Sequence, residues 1–188
     1  MHDICHYDSP LGGITLACDG EGLTGLWFDG QKYFGGEILR DRVTREQGAE
    51  MRAERVTDAN KVAERSAVLE QTVKWLDLYF DGQEPGFTPP LHLIGSEFRR
   101  SVWEILLKIP YGQTTTYKEI AREIAAQRGI ETMSAQAVGG AVGHNPVSVI
   151  VPCHRVLGTD GSLTGYAGGI EKKISLLTLE KAVFPEQN

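Results

Sequence analysis

Cysteine is scarce in this chain, and long apolar runs are missing. The three cysteines, Cys5, Cys18 and Cys153, are odd in number and widely spaced, which argues against a disulfide framework and predicts a reduced, cytoplasmic compartment. No run approaches the roughly 18 consecutive apolar residues that a membrane-spanning helix needs. The opening MHDICHYDSP has no basic segment followed by an apolar one, so we expect no secretory signal.

The chain is nevertheless large and apolar enough to fold. Its 188 residues, 41% of them hydrophobic, suffice for one full domain or two small ones. The net charge of -6 is unevenly distributed: residues 1–90 contain 9 Lys and Arg against 16 Asp and Glu, whereas residues 91–188 contain 10 against 9. The neutral to slightly basic second half therefore permits binding to nucleic acid.

The first half combines strand, loop and helix patterns. Residues 13–18 and 22–28 predict two strands around the turn-forming Asp19-Gly20-Glu21. Residues 37–66 are densely charged and lack an apolar period, which predicts a mobile loop, either without regular structure or with a solvated helix. Apolar residues then recur at helical spacing over residues 68–80, which predicts a helix.

Proline and glycine interrupt the chain near its middle. The segment Pro85-Gly86-Phe87-Thr88-Pro89-Pro90 predicts a stiff linker. We therefore divide the chain into a first domain, residues 1–88, and a second domain, residues 89–188.

The second domain begins with helices that carry recognisable end signals. Ser96 is placed to cap a first helix, and Thr116 with Glu119 forms a capping-box pattern at the start of a second. Gly129 is a stop signal for that helix, and Ser134 can cap the next one. Two helices joined by a short turn are typical of a helix-turn-helix, although this pattern alone is weak.

The helix after Ser134 has an unusual composition. It is built mainly of Ala, Gly and Val, and Gly139 and Gly140 in its interior each cost roughly 1 kcal/mol relative to alanine. Either close approach of another surface or tight packing against a second helix could compensate. The apolar run Val147–Val151 then predicts a strand, and a last helix is predicted from about Glu171 to Lys181.

A cysteine follows the predicted strand, in Pro152-Cys153-His154-Arg155. A thiolate is a nucleophile, and neighbouring histidine and arginine could activate it, but free cysteines are also often simply buried. Adjacent side chains of a regular strand point to opposite faces. His154 could then reach Cys153 only if the chain turns there, or through a water.

Several motifs together resemble the methylated-DNA–protein-cysteine methyltransferases, which repair O6-alkylguanine. The resemblance covers nearly all of residues 95–182, and the opening Ser9-Pro10-Leu11-Gly12 extends it to the first domain. Its motifs stand in the family's order and spacing: Tyr111-Gly112-Gln113-Thr114-Thr115-Thr116-Tyr117, Ala137-Val138-Gly139-Gly140-Ala141, Asn145-Pro146, Val151-Pro152-Cys153-His154-Arg155-Val156 and Gly165-Tyr166-Ala167-Gly168-Gly169.

The resemblance implies a catalytic role for five residues. Cys153 would accept the alkyl group, and His154 would take the thiol proton through a water. Glu180 would hold that histidine and stabilise its charge. Asn145 would support the join between the recognition helix and the active-site segment, and Tyr117 would help to expel the base and donate a proton or hydrogen bond to the leaving guanine oxygen.

The resemblance also implies duplex DNA containing O6-alkylguanine as the partner, entered from the minor groove with the target base flipped out. Residues expected to contact DNA are Thr116, Ser134, Ala135, Gln136, Ala137, Gly139 and Arg155, and those expected to contact the base are Val151, Tyr166 and Ala167. The sequence departs from the family at Gln136, where an arginine is common. Glutamine lacks the charge and the five donors of arginine, so we expect weaker DNA binding or slower base flipping.

The resemblance implies an α/β fold, with a small ribonuclease-H-like antiparallel-sheet domain followed by a helical, winged-helix-like domain. We expect no cofactor and no metal, because Cys5, Cys18 and the nearby histidines lack a zinc-ligand spacing. A monomer is expected, and cooperative binding along DNA stays open. Two other functions stay open: a non-catalytic winged-helix module that binds DNA or senses lesions, and a cysteine hydrolase, for which the adjacent Cys-His pair is poorly placed.

Overall fold

The computed structural model describes residues 3–36 and 67–185. The chain divides into two compact units, Met1–Leu93 and Ile94–Asn188. The mobile loop predicted for residues 37–66 lies outside the described residues. None of the helices in the described ranges has both the length and the apolar character of a membrane span.

The first unit contains a three-stranded antiparallel sheet. Its strands β1 (Asp3–Ser9), β2 (Gly12–Cys18) and β3 (Leu23–Phe28) lie in that order. The turn between β2 and β3 forms as predicted, because the Asp19 carboxylate accepts hydrogen bonds from the backbone N–H groups of residues 21 and 22. Helix α1 (Ala67–Phe80) confirms the predicted helix and contacts the sheet through a buried face.

Residues 90–92 are hydrogen-bonded within the first unit. The Leu23 N–H donates to the Pro90 carbonyl at 2.7 Å, and the His92 N–H donates back to the Leu23 carbonyl at 2.9 Å. His92 Nδ1 also lies 2.7 Å from the Asp19 carboxylate. The first compact unit ends at Leu93, a few residues beyond the boundary predicted at residue 88. The division into two domains at that boundary stays a prediction.

Helices dominate the second unit. They are α2 (Glu97–Leu106), α3 (Tyr117–Arg128), α4 (Ala135–Gly143) and α5 (Ile170–Leu179). Strands β4 (Thr115–Thr116) and β5 (Val156–Leu157) form a short parallel pair. The predicted caps at Ser96, Thr116 and Ser134 are all confirmed, and Gly129 ends α3 in the left-handed conformation.

The predicted strand Val147–Val151 is wrong. The segment is a compact turn in which the Ile150 N–H donates to the Ser148 carbonyl at 2.8 Å, and Val149 has a φ of 69°. A β-branched residue at positive φ is strained, and only a well-packed environment maintains it. The run is apolar because its valines are fully buried, and not because it pairs in a sheet.

Candidate active site and nucleic-acid interface

Cys153 begins a short 3-10 helix, Cys153–Arg155, and is 4% exposed. The Nδ2 atom of Asn145 donates to the Cys153 sulfur at 3.1 Å and to the Val151 carbonyl at 2.7 Å. The Oδ1 atom of Asn145 accepts from the Val147 N–H at 3.0 Å. One amide thus fixes the strained turn and places a donor on the sulfur.

The environment of Cys153 contains opposing influences on its ionisation. Burial raises the pKa of the thiol, whereas the Asn145 amide, the charge of Lys173 and the backbone N–H groups of residues 153 and 154 lower it. The net pKa lies above its ordinary value. Formation of the thiolate therefore needs a base and a source of positive charge.

Glu180 collects four hydrogen bonds at the end of α5. His154 Nε2 lies 2.7 Å from Oε1, the Arg155 Nε and Nη2 atoms donate at 2.8 and 2.9 Å, and the Gly112 N–H donates at 3.2 Å. Burial disfavours the carboxylate, but the bonds from His154 and Arg155 outweigh it and hold the pKa of Glu180 far below its ordinary value. Glu180 is therefore ionised, and both of its carboxylate oxygens accept hydrogen bonds.

His154 is a neutral ring with a defined tautomer. Burial lowers its pKa, and the hydrogen bond and charge of Glu180 oppose that shift without cancelling it. An ionised carboxylate can only accept, so Nε2 carries the proton and Nδ1 carries the lone pair. A neutral histidine backed by a carboxylate is the form that can accept a proton from a thiol.

Helix α4 presents a small-residue surface. Ala135, Gln136 and Ala137 are exposed, and the Trp103 Nε1–H donates to the Ala141 carbonyl at 2.9 Å on the buried side. A Cβ added at Gly140 would meet no other atom within 4 Å. Packing against the rest of the described protein therefore does not require glycine there.

Two family models match consecutive parts of the chain. The ribonuclease-like domain of 6-O-methylguanine DNA methyltransferase matches residues 5–93, and its DNA binding domain matches residues 97–182. A methylated-DNA–protein-cysteine methyltransferase of Mycobacterium tuberculosis is 43% identical over 183 residues, covering 96% of this chain and 94% of the relative. The chain belongs to the O6-methylguanine DNA methyltransferase family. This membership confirms the predicted fold class, an antiparallel-sheet domain followed by a helical one.

Relatives and solved structures of this methyltransferase family extend the match. A methylated-DNA–protein-cysteine methyltransferase of Methanosarcina barkeri is 38% identical, covering 93% of this chain and 94% of the relative. The crystal structure of Mycobacterium tuberculosis OGT in complex with DNA is 38% identical with a TM-score of 0.71. It covers 95% of this chain and 92% of that one.

The structure places four of the five predicted catalytic residues in two hydrogen-bonded pairs, Asn145 with Cys153 and His154 with Glu180, which the backbone joins at residues 153 and 154. The predicted obstacle to a Cys153–His154 pair disappears, because both residues lie in a 3-10 helix and not in a strand. Tyr117, the first residue of α3, donates its hydroxyl to the Thr164 carbonyl at 3.3 Å. Burial, followed by the charge of Cys153, raises the pKa of Tyr117, so its hydroxyl keeps its proton.

Arg155 does not fit the predicted contact with DNA. It is 8% exposed, and its guanidinium donates twice to Glu180 and once to the Ile109 carbonyl, at 2.6 Å. A guanidinium held by these bonds is not presented to a phosphate. We therefore correct its role: Arg155 positions the Glu180 carboxylate behind His154.

The other predicted binding residues differ in what they expose. The Thr116 hydroxyl is engaged in the capping box, and the Ser134 hydroxyl caps α4 by accepting from the Ala137 N–H. Val151 is fully buried and its carbonyl accepts from Asn145, whereas Tyr166 and Ala167 are partly exposed. Contact of these residues with DNA or base stays a prediction.

The absence of a metal stays an expectation. Within residues 3–36 and 67–185, no three His, Cys, Asp or Glu side chains are grouped as ligands. Cys5 and Cys18 are buried in β1 and β2.

Sequence reasoning missed Lys173, which is fully buried on α5. A signal was present, since Lys173 lies at helical spacing with Leu176, Leu177 and Glu180, all of them buried. A charge on the apolar stripe of a helix indicates a buried charge with a specific role.

A leucine at Gly140 should separate folding from DNA binding. Leucine is the better helix former by roughly 0.8 kcal/mol and meets open space, so we expect unchanged or slightly raised thermal stability. The resemblance places α4 against the duplex, so duplex affinity, measured by fluorescence anisotropy, should fall at least about tenfold as the added side chain holds helix and duplex apart. Gly86→Leu, which also meets open space but lies in the first unit, is the control. Equal affinity of Gly140→Leu and the parent would contradict this role.

Proposed function

We propose that this protein repairs O6-alkylguanine in duplex DNA by transferring the alkyl group to Cys153 in a single turnover. The observation that carries the proposal is the buried cysteine with the Asn145 amide on its sulfur and the neutral His154, Glu180 and Arg155 behind it. Family membership supplies the substrate class, since the relatives are named for methylated DNA and a protein cysteine.

The transfer is a displacement at the alkyl carbon. His154 takes the thiol proton through a water, and the Cys153 sulfur then attacks the alkyl carbon. The new S–C bond forms as the C–O6 bond breaks, and the electron pair of that bond goes to the guanine oxygen. The base gains one proton in all, which balances the proton lost by the thiol, and the Tyr117 hydroxyl donates to the departing oxygen.

The chemistry requires neither a metal nor a cofactor, because the nucleophile and the proton carriers are side chains of the chain itself. The product is a thioether, which is a poor leaving group, so the cysteine is not regenerated. Each protein molecule is then consumed by one lesion. A target base inside a duplex must first be extruded, at a cost of roughly a few kcal/mol.

Helix α4 is proposed to enter the minor groove. Its exposed Ala135, Ala137 and Gly140 allow the backbone to approach a narrow groove, and the groove offers little sequence information, as suits a protein that recognises a lesion. Gln136 on the same helix would fill the space that the extruded base leaves.

Arginine at position 136 should improve this step. Gln136→Arg adds a charge and a planar set of donors at an exposed position, so we expect tighter duplex binding, by roughly fivefold to tenfold, with a steeper salt dependence. Anisotropy titrations at two salt concentrations measure the duplex affinity. Gln127→Arg, at an exposed position of α3, is the charge-matched control. An unchanged affinity and transfer rate would refute the expectation for Gln136.

Intact-protein mass spectrometry tests the proposed function directly. The protein is incubated with a duplex containing one O6-methylguanine, and the same duplex with guanine is the control. We expect a gain equal to one CH2 group, located by peptide mapping on Cys153, and an equal molar loss of the lesion. Duplex binding without any mass gain would replace the proposal with a non-catalytic DNA-binding module.

A further inference from the structure

Lys173 is a cation inside the second unit. Its side chain is fully buried, and its Nζ atom donates to the Val156 carbonyl at 2.5 Å and to the Thr164 carbonyl at 3.1 Å. Among the described residues, no carboxylate forms an ion pair with it. Burial of a cation without an opposite charge is expensive, and burial accordingly lowers the pKa of Lys173 to about 8.

The charges around Lys173 indicate which group its ammonium can stabilise. The positive charge of Arg155 is matched by the two bonds that it donates to Glu180, and His154 is neutral. Tyr117 and Tyr166 keep their protons, because burial raises the pKa of each. Among the described residues of the site, Lys173 is thus the cation that no anion matches, and the Cys153 thiolate, once it forms, is the anion that no cation matches.

The ammonium of Lys173 also shares an acceptor with Tyr117. The Tyr117 hydroxyl and Lys173 Nζ both donate to the Thr164 carbonyl, at 3.3 and 3.1 Å. The second acceptor of Lys173, the Val156 carbonyl, belongs to the residue directly after the 3-10 helix of the nucleophile. Lys173 therefore bonds directly to the loop of Thr164 and to the chain that carries Cys153. It is linked to Tyr117, the proposed proton donor, through the shared Thr164 carbonyl.

We propose that Lys173 is a positioning residue that supplies the counter-charge for the Cys153 thiolate and, through the Thr164 carbonyl, orients the Tyr117 hydroxyl. This inference rests on the proposed function. It assigns the positive charge that the His154–Glu180–Arg155 cluster does not provide, since the net charge of that cluster is zero before the thiol loses its proton.

The first test measures the reactivity of Cys153 without DNA. Iodoacetamide alkylates the thiolate with loss of iodide, and peptide mapping follows Cys153 apart from Cys5 and Cys18. In Lys173→Met the apparent pKa of Cys153 should rise by about one unit or more, which lowers the rate near neutral pH about tenfold. Lys173→Arg should recover part of the rate, and Lys172→Met, the neighbouring lysine, should match the parent. A folded Lys173→Met protein with the parent pH profile would overturn the proposal.

A second test uses proteins with an unaltered lysine. The Nζ titration of Lys173 is followed by NMR in the parent and in Cys153→Ser. The coupling is reciprocal, so removal of the thiolate should lower the pKa of Lys173 further below its value in the parent. Equal values would overturn the proposal even if Lys173→Met does not fold. Both tests are independent of DNA, so a parent protein that gains no methyl group contradicts the proposed function alone.

Discussion

Replacing Glu180 with glutamine should lower the free energy of unfolding by about 3–5 kcal/mol, because it leaves a buried guanidinium without its partner. Arg155 is 8% exposed and donates twice to Glu180, so water cannot replace the lost carboxylate. Glutamine keeps the shape of the side chain but offers one acceptor oxygen to donors from His154, Arg155 and Gly112. Methyl transfer should also slow strongly, since His154 loses the charge behind it.

The pH dependence of the free energy of unfolding gives a second test of the contribution of Glu180. The pKa of Glu180 is depressed in the folded state, so its contribution is present above its ordinary value of 4.5 and is lost as the pH falls below it. Denaturant unfolding between pH 7 and pH 3 should show a steeper acid loss in the parent than in Glu180→Gln. Glu104→Gln, an exposed change on α2, should stay within about 0.5 kcal/mol. A loss below about 1 kcal/mol in Glu180→Gln would contradict the buried network.

Replacing Asn145 with aspartate should reduce methyl transfer at least about 100-fold. The change removes the donor that lies 3.1 Å from the Cys153 sulfur and places a carboxylate oxygen there. A negative group beside the sulfur disfavours the thiolate, and a rise of two units in the pKa of Cys153 reduces the thiolate fraction about 100-fold. The variant should also lose the bond that Asn145 donates to the Val151 carbonyl.

Single-turnover kinetics with the lesion duplex measure the effect of Asn145→Asp, and its rate should rise more steeply with pH than that of the parent. Duplex affinity serves as the internal control, because the residues of α4 that are proposed to contact DNA are unchanged. Asn145→Ala, which removes the donor without adding charge, should fall between the two. A folded Asn145→Asp protein that transfers methyl within threefold of the parent rate would show that this contact does not activate Cys153.

The parts of the fold that depend on local chemistry could be predicted from sequence. Thr116 and Glu119 satisfy each other's backbone groups within four residues, and Gly129 takes a conformation that few other residues adopt. Ser134 likewise caps α4 from the adjacent position. Such signals need no knowledge of distant contacts, so the starts and ends of the helices follow from them. Family motifs then pointed to Asn145, Cys153, His154 and Glu180, which the fold brings together.

The parts that depend on burial could not be predicted in this way. An apolar pentapeptide at Val147–Val151 is compatible with a strand or with any buried turn, and only the tertiary environment selects the turn with a positive φ at Val149. The buried position of Arg155 does not follow from sequence patterns, because its partner, Glu180, lies 25 residues further along the chain. Lys173 was overlooked because the partners of its Nζ atom are backbone carbonyls, which sequence patterns do not reveal.

The two-residue parallel sheet has a mechanical consequence. Thr116 is both the end of β4 and the cap of α3, and it pairs with Leu157, which lies four residues beyond Cys153. A tilt of α3 would therefore be transmitted to the chain beside the sulfur. The β4–β5 pairing thus fixes the start of α3 relative to the chain that carries Cys153. In the single transfer proposed for each molecule, the scaffold itself therefore sets the position of the sulfur relative to α3.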